Sequence, residues 1–446
     1  MNHLFLAYGM AFAWLFSGFL FVPRAQVPTV AGRVPWAIAI GGFLWAYGQF
    51  LYNRVGCILS RPALQIIIFG IVSFGMAWLL RKRPRWNLKW LDEPATWMET
   101  LAVGVLFLAF GVAVMESTVL PLYHVDAVTC FGLKAKALFL SGTFRTPFFY
   151  ERGIAHVQPD YPLLVPYLES LYYQLCGTID DVLVKQVFLI YAVCLVLLVY
   201  QNIRLRWDRP FSLLVTAVFA STPLFLKDQD TQVVSGGADV VFMLYETGAV
   251  LAAAHWITSG ASGWRRLAVL SSLGCLFCKP QGLVFCLLLW GGLWFLLDHD
   301  RRSWRIGAVQ LTAFSLPWLI TARFLPREVI FPPLVLSKDQ LIQGLHKLPA
   351  LLIALAHEPW RINQWGLFWP TLAALLYFKQ QPLSSSVRFI WMMVGLQALS
   401  YFGVYLIYPQ PIQWWIASSL TRWLTHGTAL LMIATAWNAS EQLSQG

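Results

Sequence analysis

The apolar residues of the chain fall into long runs that short polar or basic segments separate. Many of these runs reach about 17–23 residues, which is enough to cross a ~30 Å hydrocarbon core as a helix. A transmembrane barrel would instead alternate apolar and polar residues in segments of about ten residues. The pattern therefore predicts an all-α integral membrane protein with about 12–13 transmembrane helices. The predicted apolar segments are 4–22, 34–52, 62–80, 98–119, 182–200, 211–226, 236–258, 267–278, 281–297, 306–324, 365–378, 389–407 and 424–437.

Composition supports this prediction and limits the possible partners. Hydrophobic residues make up 58% of the 446 residues and charged residues only 12%, too few for a soluble chain of this length. The net charge of +11 lies mostly in short loops between apolar runs, where basic residues set orientation and contact anionic lipid headgroups. We therefore expect the lipid bilayer, and no nucleic acid, as a partner.

The basic loops also predict the orientation of the chain. Basic residues are enriched in cytoplasmic loops, and the densest cluster is the segment 81–85. Counting helices from there places four further basic loops on the same side, namely 204–209, 264–266, 301–305 and 379–388. The long loop 120–181 and the loops 227–235, 325–364 and 408–423 then face outward. A multi-pass protein of the plasma membrane, with its site on the external or periplasmic face, is the expectation.

The segment 267–297 reads as a hairpin that starts and ends in the cytoplasm, with Lys279 at its tip. Its rising arm, 267–278, has about 12 residues, which at 1.5 Å per residue is too short to span the bilayer. A cation at the end of a short arm lies below the membrane surface, where an ionisable residue is a functional candidate. We therefore expect Lys279 to line a cavity.

The loop 120–181 contains the densest set of candidate residues. Asp126 precedes an amphipathic stretch, 128–142, whose composition predicts a helix lying in the membrane interface. Lys134 and Lys136 are two positions apart and so flank that helix rather than share a face. Cys130 and Cys176 in the same loop form either a disulfide or two buried thiols.

Five segments of the chain carry a resemblance to a known family. They read KAKALFLSG after Asp126, HVQPDYPLLVP, GGADVVFMLYETGA, CKPQGLVF and WWIASSLTRWLTH. In this order they resemble GT-C-fold glycosyltransferases that use polyprenyl-phosphate-linked sugars, the bacterial and archaeal relatives of protein O-mannosyltransferases and aminoarabinose transferases. The resemblance extends over roughly residues 100–430; it departs from the family at Gln281, where an acidic residue is expected.

This resemblance implies an architecture. Transmembrane helices in 1–97 would precede a GT-C-like transmembrane module in 98–437, with the amphipathic helix in its first long outer loop, 120–181. No separate soluble domain is expected.

The resemblance also implies a reaction and its residues. A hexose would pass from a polyprenyl-phosphate donor to a hydroxyl of an extracytoplasmic glycan, lipid or protein, with inversion, and Asp126 would be the general base. Arg422 is the first candidate for the donor phosphate, before Lys279, Lys134 and Lys136. Candidates for the substrate pocket are His156, Asp160, Tyr161, Asp239 and Trp414. No cofactor is expected, although Asp228 and Asp230 match the Asp-x-Asp pattern of metal-dependent glycosyltransferases.

Two other functions are compatible with a polytopic chain of this kind. A lipid or sugar transporter or flippase would place polar residues along a path through the membrane and often shows internal repeats. A polysaccharide polymerase or ligase would use Arg and His at the outer face with a diphosphate-linked donor. Here the polar candidates gather at one face, and the long loop 120–181 is dominated by Asp and Lys.

Overall fold

The computed structural model describes residues 2–82, 94–151, 153, 157–226, 233–297, 300–326, 338–377 and 383–443. Within these ranges the chain is helical and contains no strand. A helix lies on each apolar segment predicted from the sequence, so the all-α prediction is confirmed. Two π-helical turns, Ala127–Gly132 and Ile416–Leu420, interrupt the regular helices.

The helices follow one another in this order: α1 (Asn2–Phe19), α2 (Val30–Arg54), α3 (Arg61–Lys82), α4 (Trp97–Val119), α5 (Leu133–Ser141), α6 (Leu164–Cys176), α7 (Gln186–Arg204), α8 (Arg209–Ala220), α9 (Pro223–Leu226), α10 (Asp239–Ser259), α11 (Ser262–Cys278), α12 (Gln281–Leu296), α13 (Arg301–Arg323), α14 (Lys338–His357), α15 (Ile362–Trp365), α16 (Phe368–Tyr377), α17 (Ser385–Ile407), α18 (Ile412–Trp415), α19 (Thr421–His426) and α20 (Thr428–Leu443).

Six helices of the described part are long and apolar enough to span a membrane individually: α2, α3, α4, α7, α10 and α17. The helices α8, α12 and α16 are shorter but also apolar. The protein is a multi-pass membrane protein.

Helix α10 lies at the centre of the bundle. It is apolar on all sides, and such a helix is stable only when neighbours cover its whole surface. Helices α7, α11, α12, α17, α19 and α20 all pack against it. Its first residue, Asp239, is therefore held inside the protein rather than at a surface.

Helices α1 and α2 approach each other closely through glycine. A Cβ atom at Gly41 would overlap the backbone oxygen of Trp14, and one at Gly18 would overlap that of Ala37. Small residues allow such contact between membrane helices, where dispersion rather than the hydrophobic effect drives packing. Because α2 also packs on α6, α7 and α11, the N-terminal helices share the core of the remaining bundle. The domain boundary at 97/98 stays a prediction.

Two predicted elements can be compared directly with the structure. The stretch 128–142 is helical, as expected: the π-helical turn leads into α5, which ends at Gly142 in the left-handed conformation (φ 71°). The rising arm of the hairpin is longer than predicted, because α11 begins at Ser262 and has 17 residues rather than 12. The basic segment 264–266 therefore belongs to the helix.

Two of the predicted loops contain features that the sequence analysis did not predict or left open. The predicted loop 325–364 contains a helix of 20 residues, α14, that the sequence analysis did not predict. Cys130 and Cys176 are both buried and both free thiols.

The contact between α1 and α2 gives a first prediction. Gly41→Ala should lower the free energy of unfolding by about 1–3 kcal/mol, because the added methyl group forces the two backbones apart. Thermal unfolding in detergent would show this as a lower midpoint. Gly48→Ala, on the same helix, is the matched control, since nothing lies within 4 Å of its Cβ position. There alanine should be neutral or stabilising, and equal effects at both positions would contradict the close-packing argument.

Candidate functional site

A cavity of about 550 Å³ lies where five segments of the described chain converge. These are the π-helical turn after Asp126, the loop at 158–161, the turn between α11 and α12, helix α17 and the segment from Trp415 to Trp423. Its lining residues are Asp126, Cys130, Phe131, Gln158, Asp160, Tyr161, Lys279, Pro280, Gln281, Val284, Ser400, Tyr401, Val404, Tyr408, Trp415, Ser418, Ser419, Arg422 and Trp423.

Asp239 is the electrostatic centre behind this cavity. Its side chain is buried, and it stands at the N-terminus of α10, where the helix dipole favours negative charge. The Lys279 Nζ forms an ion pair with its Oδ1, and the same oxygen lies 2.8 Å from Nε2 of His426. Arg422 donates from Nη2 to its Oδ2 at 3.1 Å. Three groups from distant parts of the chain therefore hold one carboxylate.

Arg422 joins this centre to the cavity. Its Nη2 also donates to Oδ2 of Asp126 at 2.7 Å. The contacts form a row of four charges, in the order Lys279, Asp239, Arg422 and Asp126. Two carboxylates pair with two cations, so the charges of the row sum to zero. Each buried charge therefore has a partner of opposite sign, as buried charges in proteins generally do.

Asp126 is the more accessible of the two carboxylates. Its side chain is 42% exposed and lines the cavity, whereas that of Asp239 is 3% exposed. Burial raises the pKa of Asp126, but the charges of Arg422, His124 and Lys279 outweigh this and hold the pKa below its usual range. Asp126 is therefore ionised at neutral pH, and its charge is paired with that of Arg422.

Lys279 lies at the tip of the α11–α12 hairpin, as the sequence analysis expected. It follows the last residue of α11 and is buried at the cavity wall. The hairpin closes tightly beside it, because a Cβ atom at Gly282 would overlap the backbone oxygen of Cys275. This close approach brings the start of α12 against the end of α11, and the ion pair with Asp239 holds the Lys279 side chain.

The other two predicted lysines do not line the cavity. Lys134 is fully buried. Its Nζ donates to the backbone carbonyl oxygen of Gln158 at 2.5 Å and lies 5.5 Å from the ring centroid of Tyr161. Burial lowers the pKa of Lys134. Lys136 forms an ion pair with Asp181 at 2.7 Å. Both lysines therefore hold the loop together, because their amino groups are already engaged with protein oxygens.

The remaining predicted pocket residues have mixed positions. Asp160 and Tyr161 line the cavity. Trp414 does not, and its side chain is 46% exposed; its neighbour Trp415 lines the cavity instead. Predicted residues that lie outside the described ranges are His156, Asp228 and Asp230.

Several aromatic side chains also line the cavity, including Tyr401, Tyr408, Trp415 and Trp423. The ring of Tyr401 packs on that of Trp423 with centroids 4.5 Å apart, and both residues line the cavity. Tyr405 is buried, does not line the cavity and packs on Trp423 at the same distance. Trp415 packs on Tyr405 at 5.4 Å. Flat aromatic faces of this kind can pack on a sugar ring or an isoprenoid chain, while the charged row provides the polar chemistry.

Sequence reasoning missed two residues of the site, His426 and Tyr401. His426 lies four positions after Arg422, so both occupy one face of α19, and that spacing could have pointed to it. Tyr401 carried no such signal, because it is one of many aromatic residues in an apolar helix. Its role depends on the packing of α17 against α10.

The ion pair between Asp239 and Lys279 gives a second prediction. Asp239→Asn should destabilise the protein by about 3 kcal/mol, because Lys279 then stays buried without its partner. Adding Lys279→Met should recover part of this loss, since a methionine of similar volume needs no counter-ion. The midpoints of thermal unfolding of the two single variants and the double variant measure this coupling. Strictly additive losses would contradict a direct pair.

Comparisons with known proteins give a distant structural likeness only. No protein-family model and no curated protein matches the chain. In structure the chain is similar to ArnT from Cupriavidus metallidurans, solved with undecaprenyl phosphate bound (TM-score 0.47, 16% identity) and in the apo state (TM-score 0.48, 15% identity). Each match covers 76% of this chain and 59% of the ArnT chain, so the aligned part is less than two thirds of that protein.

Proposed function

We propose that the protein is a GT-C-type membrane glycosyltransferase that moves a hexose from a polyprenyl-phosphate donor to an acceptor hydroxyl outside the cytoplasm. One observation carries the proposal: Arg422 connects an accessible carboxylate, Asp126, to a buried ion pair at the wall of a single cavity. A base and two fixed cations in one pocket are what transfer from a phosphate-linked sugar requires. Three of the four charged residues, Asp239, Lys279 and Arg422, lie within the sequence motifs that resemble this enzyme class, and Asp126 precedes the first motif.

The two cations suit the leaving group. When the bond between the anomeric carbon and the phosphate oxygen breaks, negative charge develops on the lipid phosphate. Arg422 offers planar donors that match phosphate oxygens, and Lys279 offers a point charge beside it. The departing polyprenyl phosphate is thus stabilised by side chains that are already fixed before the reaction.

Asp126 suits the acceptor. As the acceptor oxygen bonds to the anomeric carbon, Asp126 takes the hydroxyl proton, and the electron pair of the broken bond leaves with the phosphate. A carboxylate near the anomeric carbon also favours the positive charge of an oxocarbenium-like transition state. A single displacement of this kind inverts the anomeric configuration, and Arg422 and Lys279 supply the positive charge at the phosphate.

The lipid part of the donor has an entrance in the side of the bundle. Val284 on α12 lines the cavity and is at the same time 45% exposed. Its neighbours Leu283 and Leu287 are exposed as well, and exposed apolar residues of a membrane helix face lipid. A polyprenyl chain can therefore stay in the bilayer while its phosphate reaches Lys279.

Transfer from labelled polyprenyl-phosphate hexoses in membranes tests the proposal. Asp126→Asn should lower the transfer rate by about 10²–10⁴-fold, because the base is lost. The same variant should bind the donor at least as tightly as the wild type, because Arg422 loses one of its two competing carboxylates. Asp180→Asn is the matched control: it lies in the same loop, its Oδ1 accepts from two backbone N–H groups, and asparagine keeps that oxygen.

Three results of this transfer experiment would each contradict a different part of the proposal. Near-normal transfer by Asp126→Asn would show that Asp126 is not the base. No transfer by the wild type from any polyprenyl-phosphate hexose would reject the donor class. Equal losses in Asp126→Asn and Asp180→Asn would indicate damage to the loop rather than loss of a base.

The pH dependence gives a separate prediction. Burial raises the pKa of Asp126, but the charge of Arg422 is the largest of the effects that hold this pKa below its usual range. A donor phosphate that recruits Arg422, and that brings negative charge of its own, raises this pKa. The rate falls as pH drops through the pKa of the base. The acidic limb of kcat, which reports the donor complex, should therefore lie at higher pH than that of kcat/KM for the donor, which reports the free enzyme. Coincident limbs would contradict this exchange of partners.

A further inference from the structure

A row of hydrogen bonds extends from Asp239 through His426 to Tyr401 and Gln397 on α17. His426 lies 2.8 Å from Asp239 through Nε2, and its Nδ1 lies 2.8 Å from the hydroxyl of Tyr401. The amide of Gln397, one turn earlier on α17, donates to the same hydroxyl at 3.0 Å. All four side chains are buried. Helices α10, α17 and α19 are thus linked by polar contacts inside the bundle.

The chemistry of the partners assigns a direction to this row. An ionised carboxylate only accepts, so Nε2 of His426 carries a proton and donates it to Asp239. A neutral imidazole then has a bare Nδ1, which accepts from the Tyr401 hydroxyl. The Tyr401 oxygen in turn accepts from Gln397. When His426 is neutral, each N–H and O–H donor in this row of hydrogen bonds has an acceptor.

The charged groups around His426 favour this neutral form. Besides Asp239, two cations face it from neighbouring segments, Lys279 from the hairpin and Arg422 from its own helix. A third positive charge at His426 would be repelled by both. Aromatic rings also pack on the imidazole, with the centroid of Phe242 at 5.0 Å and that of Tyr401 at 5.9 Å.

We propose that His426 is a positioning residue for donor binding, which rests on the function proposed above. Its N–H holds Oδ1 of Asp239, and Asp239 holds both Lys279 and Arg422 at the spacing that receives the lipid phosphate. His426 is fully buried and does not line the cavity, so it acts through Asp239 rather than on substrate. Tyr401 fixes the imidazole in the tautomer that donates.

Substitutions at His426 test this role. His426→Phe keeps a ring of similar size but removes the donor, and it should weaken binding of undecaprenyl phosphate in detergent about tenfold. The donor KM should rise by a similar factor, with a smaller change in kcat. His426→Gln should restore most of the affinity, because its amide can donate to Asp239. The midpoint of thermal unfolding is measured for each variant.

A matched pair on α17 tests the tautomer without changing His426. Tyr401→Phe removes the hydroxyl that His426 accepts from, and it should weaken lipid phosphate binding about threefold. Tyr405→Phe removes a hydroxyl one turn later, from a ring that packs on the same Trp423 but bonds to Ser419. This variant should bind within twofold of the wild type.

The outcomes distinguish this inference from the proposed function. A wild type that does not bind undecaprenyl phosphate contradicts the proposed function itself. A wild type that binds it, with unchanged binding in His426→Phe and Tyr401→Phe, overturns only the role of His426. A folded His426→Gln as weak as His426→Phe also overturns it. If His426→Phe does not fold, the comparison of Tyr401→Phe with Tyr405→Phe decides.

Discussion

A buried carboxylate that must be matched by fixed positive charge organises this protein. Asp239 begins a helix that neighbours cover on every side, so water cannot solvate it. An unpaired charge there would cost several kcal/mol, and contacts with Lys279, Arg422 and His426 offset this cost. These partners lie 40, 183 and 187 residues away along the chain. The site therefore exists only when α10, the α11–α12 hairpin and α19 are packed together.

The same electrostatics suggests an order of events. The row of charges is balanced, so under the proposed function a donor phosphate must displace a carboxylate from a cation. Releasing Asp126 costs little, because it is partly exposed and exposed ion pairs contribute about 0–1 kcal/mol. Releasing Asp239 costs far more, because its carboxylate is buried and water cannot replace a lost partner. Under the proposed function, donor binding thus frees the base, and Asp126 becomes a stronger base when the sugar is in place.

The sequence predicted the helices well and the site in part. Apolar runs identify membrane helices because the bilayer imposes length and hydropathy, and a helix lies on each predicted run. Asp126, Lys279 and Arg422 meet in one cavity because loops that face the same side of a membrane lie close together. The lysines 134 and 136 were assigned to phosphate, yet their amino groups bind protein oxygens. The periodicity of a sequence predicts on which face of a helix a side chain lies, but it does not predict which group that side chain contacts.

The positions missed from the sequence depend on contacts between helices. Tyr401 and His426 touch only because α17 and α19 both pack on α10, and no local pattern encodes that contact. Trp415 rather than Trp414 lines the cavity because a single residue of rotation along a helix moves a side chain by about 100°. Helix α14 was missed since its first turns are polar and read as loop.

The order of the charges also bears on stereochemistry. Inversion requires that the base and the leaving group lie on opposite faces of the anomeric carbon. In the row, Lys279 and Asp126 stand at opposite ends, with Asp239 and Arg422 between them. Lys279 lies just before α12, whose residues Leu283, Val284 and Leu287 are apolar and exposed. The polar residues Gln158 and Asp160 line the same cavity as Asp126. A donor held at the Lys279 end leaves the Asp126 end to a polar acceptor. Under the proposed function, the arrangement would separate the two substrates by polarity, and that separation would favour attack from the face opposite the phosphate.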